Sequence, residues 1–146
     1  MTFNRENNTR PAANSLPEKE ILPEDYVDLA ENVKHGLKNT QRNGKPPFSI
    51  TTRQIRKILS LITDILNSER LSSCDTLSDE NYQKLQLARV RIAYDAGRDK
   101  DVMTFVIKSK LLSYIKGVSK SRSEFIRFAG YLESLVAWHR FMGGEN

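Results

Sequence analysis

From Pro23 onward, apolar residues recur at steps of three and four, the spacing that lines one face of an α-helix. Tyr26, Leu29, Ala30, Val33 and Leu37 predict a first amphipathic helix. Asn39 to Ser49, with Gly44 and the Pro46-Pro47 pair, interrupts the pattern and reads as a loop. A second helix has the clearest start in the chain: Thr51 is placed to cap it, Gln54 completes a capping box, and Ile50 is placed to staple onto Ile55. At about 100° per residue, Ile55, Ile58, Leu59, Leu61, Ile62, Ile65 and Leu66 share one broad face, with Arg53, Arg56 and Lys57 opposite.

After a polar loop from Asn67 to Leu77, Ser78 opens a third helix, with Asp79 and Glu80 at its positive end and Gly97 as its expected stop. Tyr82, Leu85, Ala88, Ile92 and Ala96 form one stripe on it, and Leu87, Val90 and Tyr94 form another. Two stripes predict a central helix covered on two sides. A fourth helix is expected from Lys100 to Lys116, before Gly117, and a fifth from Ser121 to Met142, before Gly143-Gly144. Ser121 and Glu124 offer a second capping box. No segment alternates over strand lengths, so the expected fold is all-α: a single compact bundle of about five helices over residues 23–146. Residues 1–22, rich in Asn, Pro and Thr, offer little surface to bury and are expected to form a flexible tail.

Composition narrows the function classes. With 146 residues, 38% hydrophobic and 28% charged, the chain has the balance of one globular domain. One cysteine, Cys74, and two histidines, His35 and His139, supply neither a disulfide nor a zinc site. No apolar run approaches the ~20 residues of a membrane span, so a soluble, cytoplasmic protein is expected. Residues 1–49 hold seven basic and seven acidic side chains, so the excess of 23 basic over 18 acidic residues lies wholly in residues 50–146. A polyanionic partner fits that distribution.

Local catalytic motifs are missing. Gly44-Lys45 imitates a P-loop end, but Asn39 stands where the motif needs glycine and Pro46 follows. No dinucleotide fingerprint, His-Glu-x-x-His pair or Gly-x-Ser-x-Gly elbow occurs. Asp95, Asp99 and Asp101 flank one turn and have the chemistry to hold Mg²⁺, although acids there also suit the start of helix four. His139 lies in an apolar stripe without a Ser, Cys or acid partner at a telling spacing, and Cys74 sits in a polar loop. No catalytic residue, metal or cofactor is therefore expected.

The positive signal is cationic. Arg53, Arg56 and Lys57 stand at i, i+3 and i+4, close enough to address one phosphate strand. Lys84 and Arg91 project near Leu87 and Tyr94, with Arg98 at the helix end, and an Arg-Tyr-Arg surface suits phosphates together with riboses or bases. A solvated helix face gives the same spacing. Tyr94 and Trp138 also suit core positions.

Four blocks in order carry a likeness: ITTRQIRKILSLITDI (Ile50 to Ile65), ARVRIAYDAGR (Ala88 to Arg98), SKLLSYIK (Ser109 to Lys116) and FIRFAGYLESLVAWHRFMGG (Phe125 to Gly144). Across residues 24–144 they resemble the small helical subunit of the type III-A CRISPR effector, the Csm complex. That resemblance implies a non-catalytic all-α subunit, stacked head to tail in several copies beside guide RNA and target RNA. It also implies backbone subunits and a polymerase-like large subunit as partners. Arg53, Arg56, Lys57, Arg91 and Arg98 are the basic positions of its blocks and the expected RNA-binding residues. Head-to-tail stacking requires complementary ends, for which Trp138, Phe141, Met142 and the second stripe of helix three are the candidates. The competing readings are a free-standing helical DNA-binding regulator, which needs two helices joined by a short turn, and a nuclease built on Asp95, Asp99 and Asp101.

Overall fold

The computed structural model describes residues 16–39 and 44–146. Among these residues six helices follow one another: α1 (Tyr26–Leu37), α2 (Thr52–Glu69), α3 (Asp79–Arg98), α4 (Lys100–Ser109), α5 (Leu111–Val118) and α6 (Arg122–Phe141). Among the described residues the only extended pairing is an isolated bridge between Thr76 and Ser121. The all-α expectation holds.

α2 starts as its sequence dictates. Thr51 Oγ1 accepts the Gln54 backbone N–H at 3.1 Å while Gln54 Oε1 accepts the Thr51 N–H at 2.9 Å, and Ile50 and Ile55 are both buried. The Ser121 cap forms only by halves: its hydroxyl accepts the Glu124 N–H, but the Glu124 carboxylate turns to Arg127 instead.

Two expectations about helix ends need correction. Gly97 lies inside α3; the stop is Asp99, whose backbone turns extended and whose carboxylate accepts the N–H groups of Asp101 and Val102, capping α4. The single helix expected over Lys100 to Lys116 is two. Lys110 adopts left-handed angles, φ 57° and ψ 32°, between α4 and α5. The Ser109 hydroxyl donates back to the Phe105 carbonyl at 2.6 Å, and the buried Tyr131 hydroxyl donates to the Ser109 carbonyl at 2.8 Å. A distant side chain thus takes the acceptor that a continuing helix would have used.

The central helix is α6 rather than α3. Phe125, Phe128, Ala129, Tyr131, Leu132, Leu135, Val136 and His139 are all buried, which covers most of its circumference, and it packs on α1, α2 and α5. α3 packs on α2, α4 and α5 through Leu85, Ala88, Ile92 and Ala96, while its second stripe of Leu87, Val90 and Tyr94 faces solvent.

Both ends of the described chain are tied down. The flexible tail expected over 1–22 divides: residues 1–15 lie outside the described residues, and 16–22 run as a strap over α5. Glu20 donates its N–H to the Ser113 carbonyl, Lys116 Nζ donates to the Pro17 carbonyl, and Leu22 is buried. Gly117 permits this approach, since a Cβ there would overlap the Glu20 carbonyl oxygen. The strap is held through main-chain groups of Pro17 and Glu20, which side-chain composition does not reveal. At the other end, Gly143 takes φ 95°, Gly144 packs on the His139 ring, and the Glu145 carbonyl accepts the Thr52 N–H at 2.7 Å.

Candidate nucleic-acid interface

α2 and α3 run antiparallel, and polar contacts set their register. Gln54 Nε2 donates to Asp99 Oδ2 at 3.0 Å, and Lys57 Nζ pairs with Asp95 Oδ2 at 3.6 Å. Further along, Leu61, Asp64 and Ile65 face Lys84, Leu87, Ala88 and Arg91 across a shallow groove. Helical periodicity then brings Arg53 and Lys57 of α2 beside Arg91, Tyr94 and Arg98 of α3 on one solvent face, with Arg56 further round α2.

The five cations expected to act together differ in state. Arg53, Arg56 and Arg91 are exposed and have no carboxylate partner among the described residues. Lys57 is spent in part on Asp95, whose side chain is largely buried. Arg98 holds its guanidinium 5.4 Å from the centroid of the Tyr94 ring. A small cleft of about 90 Å³ between Gln54, Lys57, Asp95, Arg98 and Asp99 marks where the two helices meet.

The three aspartates weighed as a metal site take separate tasks: Asp95 pairs with Lys57, Asp99 caps α4, and Asp101 lies in the first turn of α4. Among the described residues no three His, Cys, Asp or Glu side chains gather as a metal-holding group. The helix pair the regulator reading needs, α2 and α3, is joined by residues 70–78 rather than a tight turn. No helix among the described residues is long and apolar enough to cross a membrane.

At the end of α6, Phe141 is 81% exposed, Trp138 and Met142 are half-buried, and the Trp138 and Phe141 rings meet edge to face at 5.8 Å. His139 is fully buried 5.0 Å from Phe48, and neither ring nitrogen finds a hydrogen-bond partner. Burial, with help from the Lys34 and Arg140 charges, pulls its pKa down to about 4. Lys34 was missed in the sequence. It is fully buried, its Nζ has no hydrogen-bond partner and lies 4.0 Å from the Phe48 centroid, and burial lowers its pKa to about 7. The signal was available: Lys34 follows Tyr26 and Ala30 at helical spacing on the inner face of α1.

The molecule is thus an all-α domain that carries exposed cations on a pair of packed helices. Residues 25–145 match the family described as Csm2 type III-A. A Mycobacterium tuberculosis relative, CRISPR system Cms protein Csm2, is 36% identical over 122 residues, 84% of this chain and 94% of the relative. The Streptococcus thermophilus protein of that name is 32% identical over 126 residues, covering 86% and 98%. The chain belongs to the Csm2 type III-A family, the Csm small subunit that the four sequence blocks resemble.

Proposed function

We propose that this chain is a non-catalytic RNA-binding and assembly subunit of a cytoplasmic type III-A CRISPR ribonucleoprotein. Several copies stack head to tail beside guide RNA and target RNA, with the backbone subunits and the polymerase-like large subunit as neighbours. Base pairing supplies sequence specificity, so the subunit needs only to recognise backbone and shape. Arg53, Arg56, Lys57, Arg91 and Arg98 contact phosphates, while Trp138, Phe141 and Met142 meet the next copy. The observation that carries this reading is the convergence of Arg53 and Lys57 of α2 with Arg91 and Arg98 of α3 on one face, where Arg53 and Arg91 lack any carboxylate partner among the described residues.

The test is target-RNA affinity against salt for complexes assembled with Arg53→Ala/Arg56→Ala/Lys57→Ala, and separately with Arg91→Ala/Arg98→Ala. Each lost phosphate contact should flatten the log-log salt slope by about 0.7 to 0.9. Unchanged slope and affinity in both, with assembly intact, would sink the assignment of this face.

A further inference from the structure

Tyr94 is 61% exposed on α3, and its hydroxyl has no hydrogen-bond partner among the described residues. An exposed tyrosine alone means little, but this one stands between two arginines. Arg91 lies three residues before it and Arg98 four after, about 4.5 Å and 6 Å along the helix axis. Arg98 covers one side of the ring. The other described cation–tyrosine pairs are built differently. Tyr82 beneath Lys120 and Tyr26 beneath Arg127 are half-buried, and Arg127 is engaged by the carbonyls of Leu22 and Pro23. In Tyr94 and Arg98 both ring and cation are exposed.

We infer that Tyr94 is a nucleobase platform: a base outside the duplex stack lies against its open face while Arg91 and Arg98 hold the phosphates on either side. The inference rests on the RNA-binding reading above. Aromatic faces accept any base, and arginine planes extend the stack, so the contact is sequence-tolerant, as a subunit that leaves specificity to base pairing requires. Charge complementarity selects the occupant. A protein surface burying Tyr94 must desolvate Arg91 and Arg98 and bring carboxylates for both, whereas a nucleic-acid strand brings a base and its flanking phosphates together. Leu87 and Val90 continue the exposed apolar strip towards the start of α3, with Leu87 beside Arg91 in the groove to α2, and neither carries an aromatic face, so the stacking contact is confined to Tyr94.

The experiment uses complexes assembled with the full-length chain and a target RNA carrying 2-aminopurine at successive positions. At one register the wild-type complex should quench the fluorophore by stacking, Tyr94→Phe should preserve the quenching, and Tyr94→Ala should abolish it. Affinity for Tyr94→Ala should fall roughly 5- to 100-fold with an unchanged salt slope, since no phosphate contact is removed. If Tyr94→Ala leaves quenching and affinity intact while the α2 triple variant weakens binding, the platform is wrong and the RNA-binding reading stands. If neither variant changes binding, both fall together. If Tyr94→Ala is excluded from assembled complexes although it folds, the ring belongs to a protein contact and the platform is overturned.

Discussion

Gln54 and Asp99 cap two different helices, and their side chains are hydrogen-bonded to each other at 3.0 Å. Gln54 closes the start of α2 and Asp99 closes the start of α4, so one contact between residues 45 positions apart fixes both starts and the register of α3 against α2. Asp99→Ala should cost about 1 to 2 kcal/mol, a fall in melting temperature of about 2 to 8 °C for a domain near this size. Gln54→Ala should cost less, and the double variant less than the sum, because each single change already breaks the shared bond. Additive losses in a thermal double-mutant cycle would show that the two caps act independently.

Lys34 should be a net burden at neutral pH. Its folded pKa of about 7 lies below the ordinary 10.5, so between those values the unfolded chain binds more protons and stability climbs as pH rises. Lys34→Met should raise stability at pH 7 by on the order of a few kcal/mol, the Phe48 ring having offset part of the cost. Denaturant titrations should show this advantage shrinking towards pH 10. A variant less stable than wild type at pH 7 would mean that the ammonium has a partner worth more than its burial costs.

His139 should govern the acid limb. Its pKa of about 4, against 6.5 when exposed, makes the unfolded state the stronger proton binder between those values. The neutral imidazole's full stability is present above about pH 6.5 and is lost as pH falls towards 4, on the order of 3 kcal/mol. Urea titrations of His139→Leu should show a flatter profile across that window. An identical slope in the variant would assign the acid sensitivity elsewhere.

Gly117→Ala should lift the strap. The new Cβ has no room beside the Glu20 carbonyl, so the Glu20 to Ser113 and Lys116 to Pro17 bonds must open. Trypsin should then cut after Lys19 faster than in wild type, and the Glu20 amide should exchange faster with solvent. Unaltered cleavage and exchange would show that the strap shifts without releasing.

α2 was legible because its cap, staple and apolar face agree within one stretch of chain. The α4–α5 joint was not. Lys110 gives no glycine-like signal for its left-handed turn, and the group that takes the Ser109 carbonyl, Tyr131, comes from another helix 22 residues away. The choice of central helix failed for a related reason: two apolar stripes do not reveal whether a neighbour covers the second, and on α3 none does among the described residues. At the site, the positions of Arg53, Arg56, Arg91 and Arg98 on exposed faces followed from periodicity alone. The pairing of Lys57 with Asp95 did not, since it depends on how two helices register across 38 residues. Exposure of Tyr94 likewise had to be seen in the packed molecule.

The backbone bond from Thr52 to Glu145 has a practical consequence for anyone fusing a fluorophore, affinity handle or partner domain to this chain. A fusion beyond Asn146 would begin beside the first turn of α2, one residue from Arg53, and would crowd the face proposed to meet RNA. Leu16, by contrast, lines a cavity with Ala93 and Ala96, on the side of α3 turned away from Tyr94. A handle joined directly to Leu16, in place of residues 1–15, therefore meets the molecule from the far side of α3, and a loss of RNA binding caused only by the fusion beyond Asn146 would report steric blockage rather than chemistry.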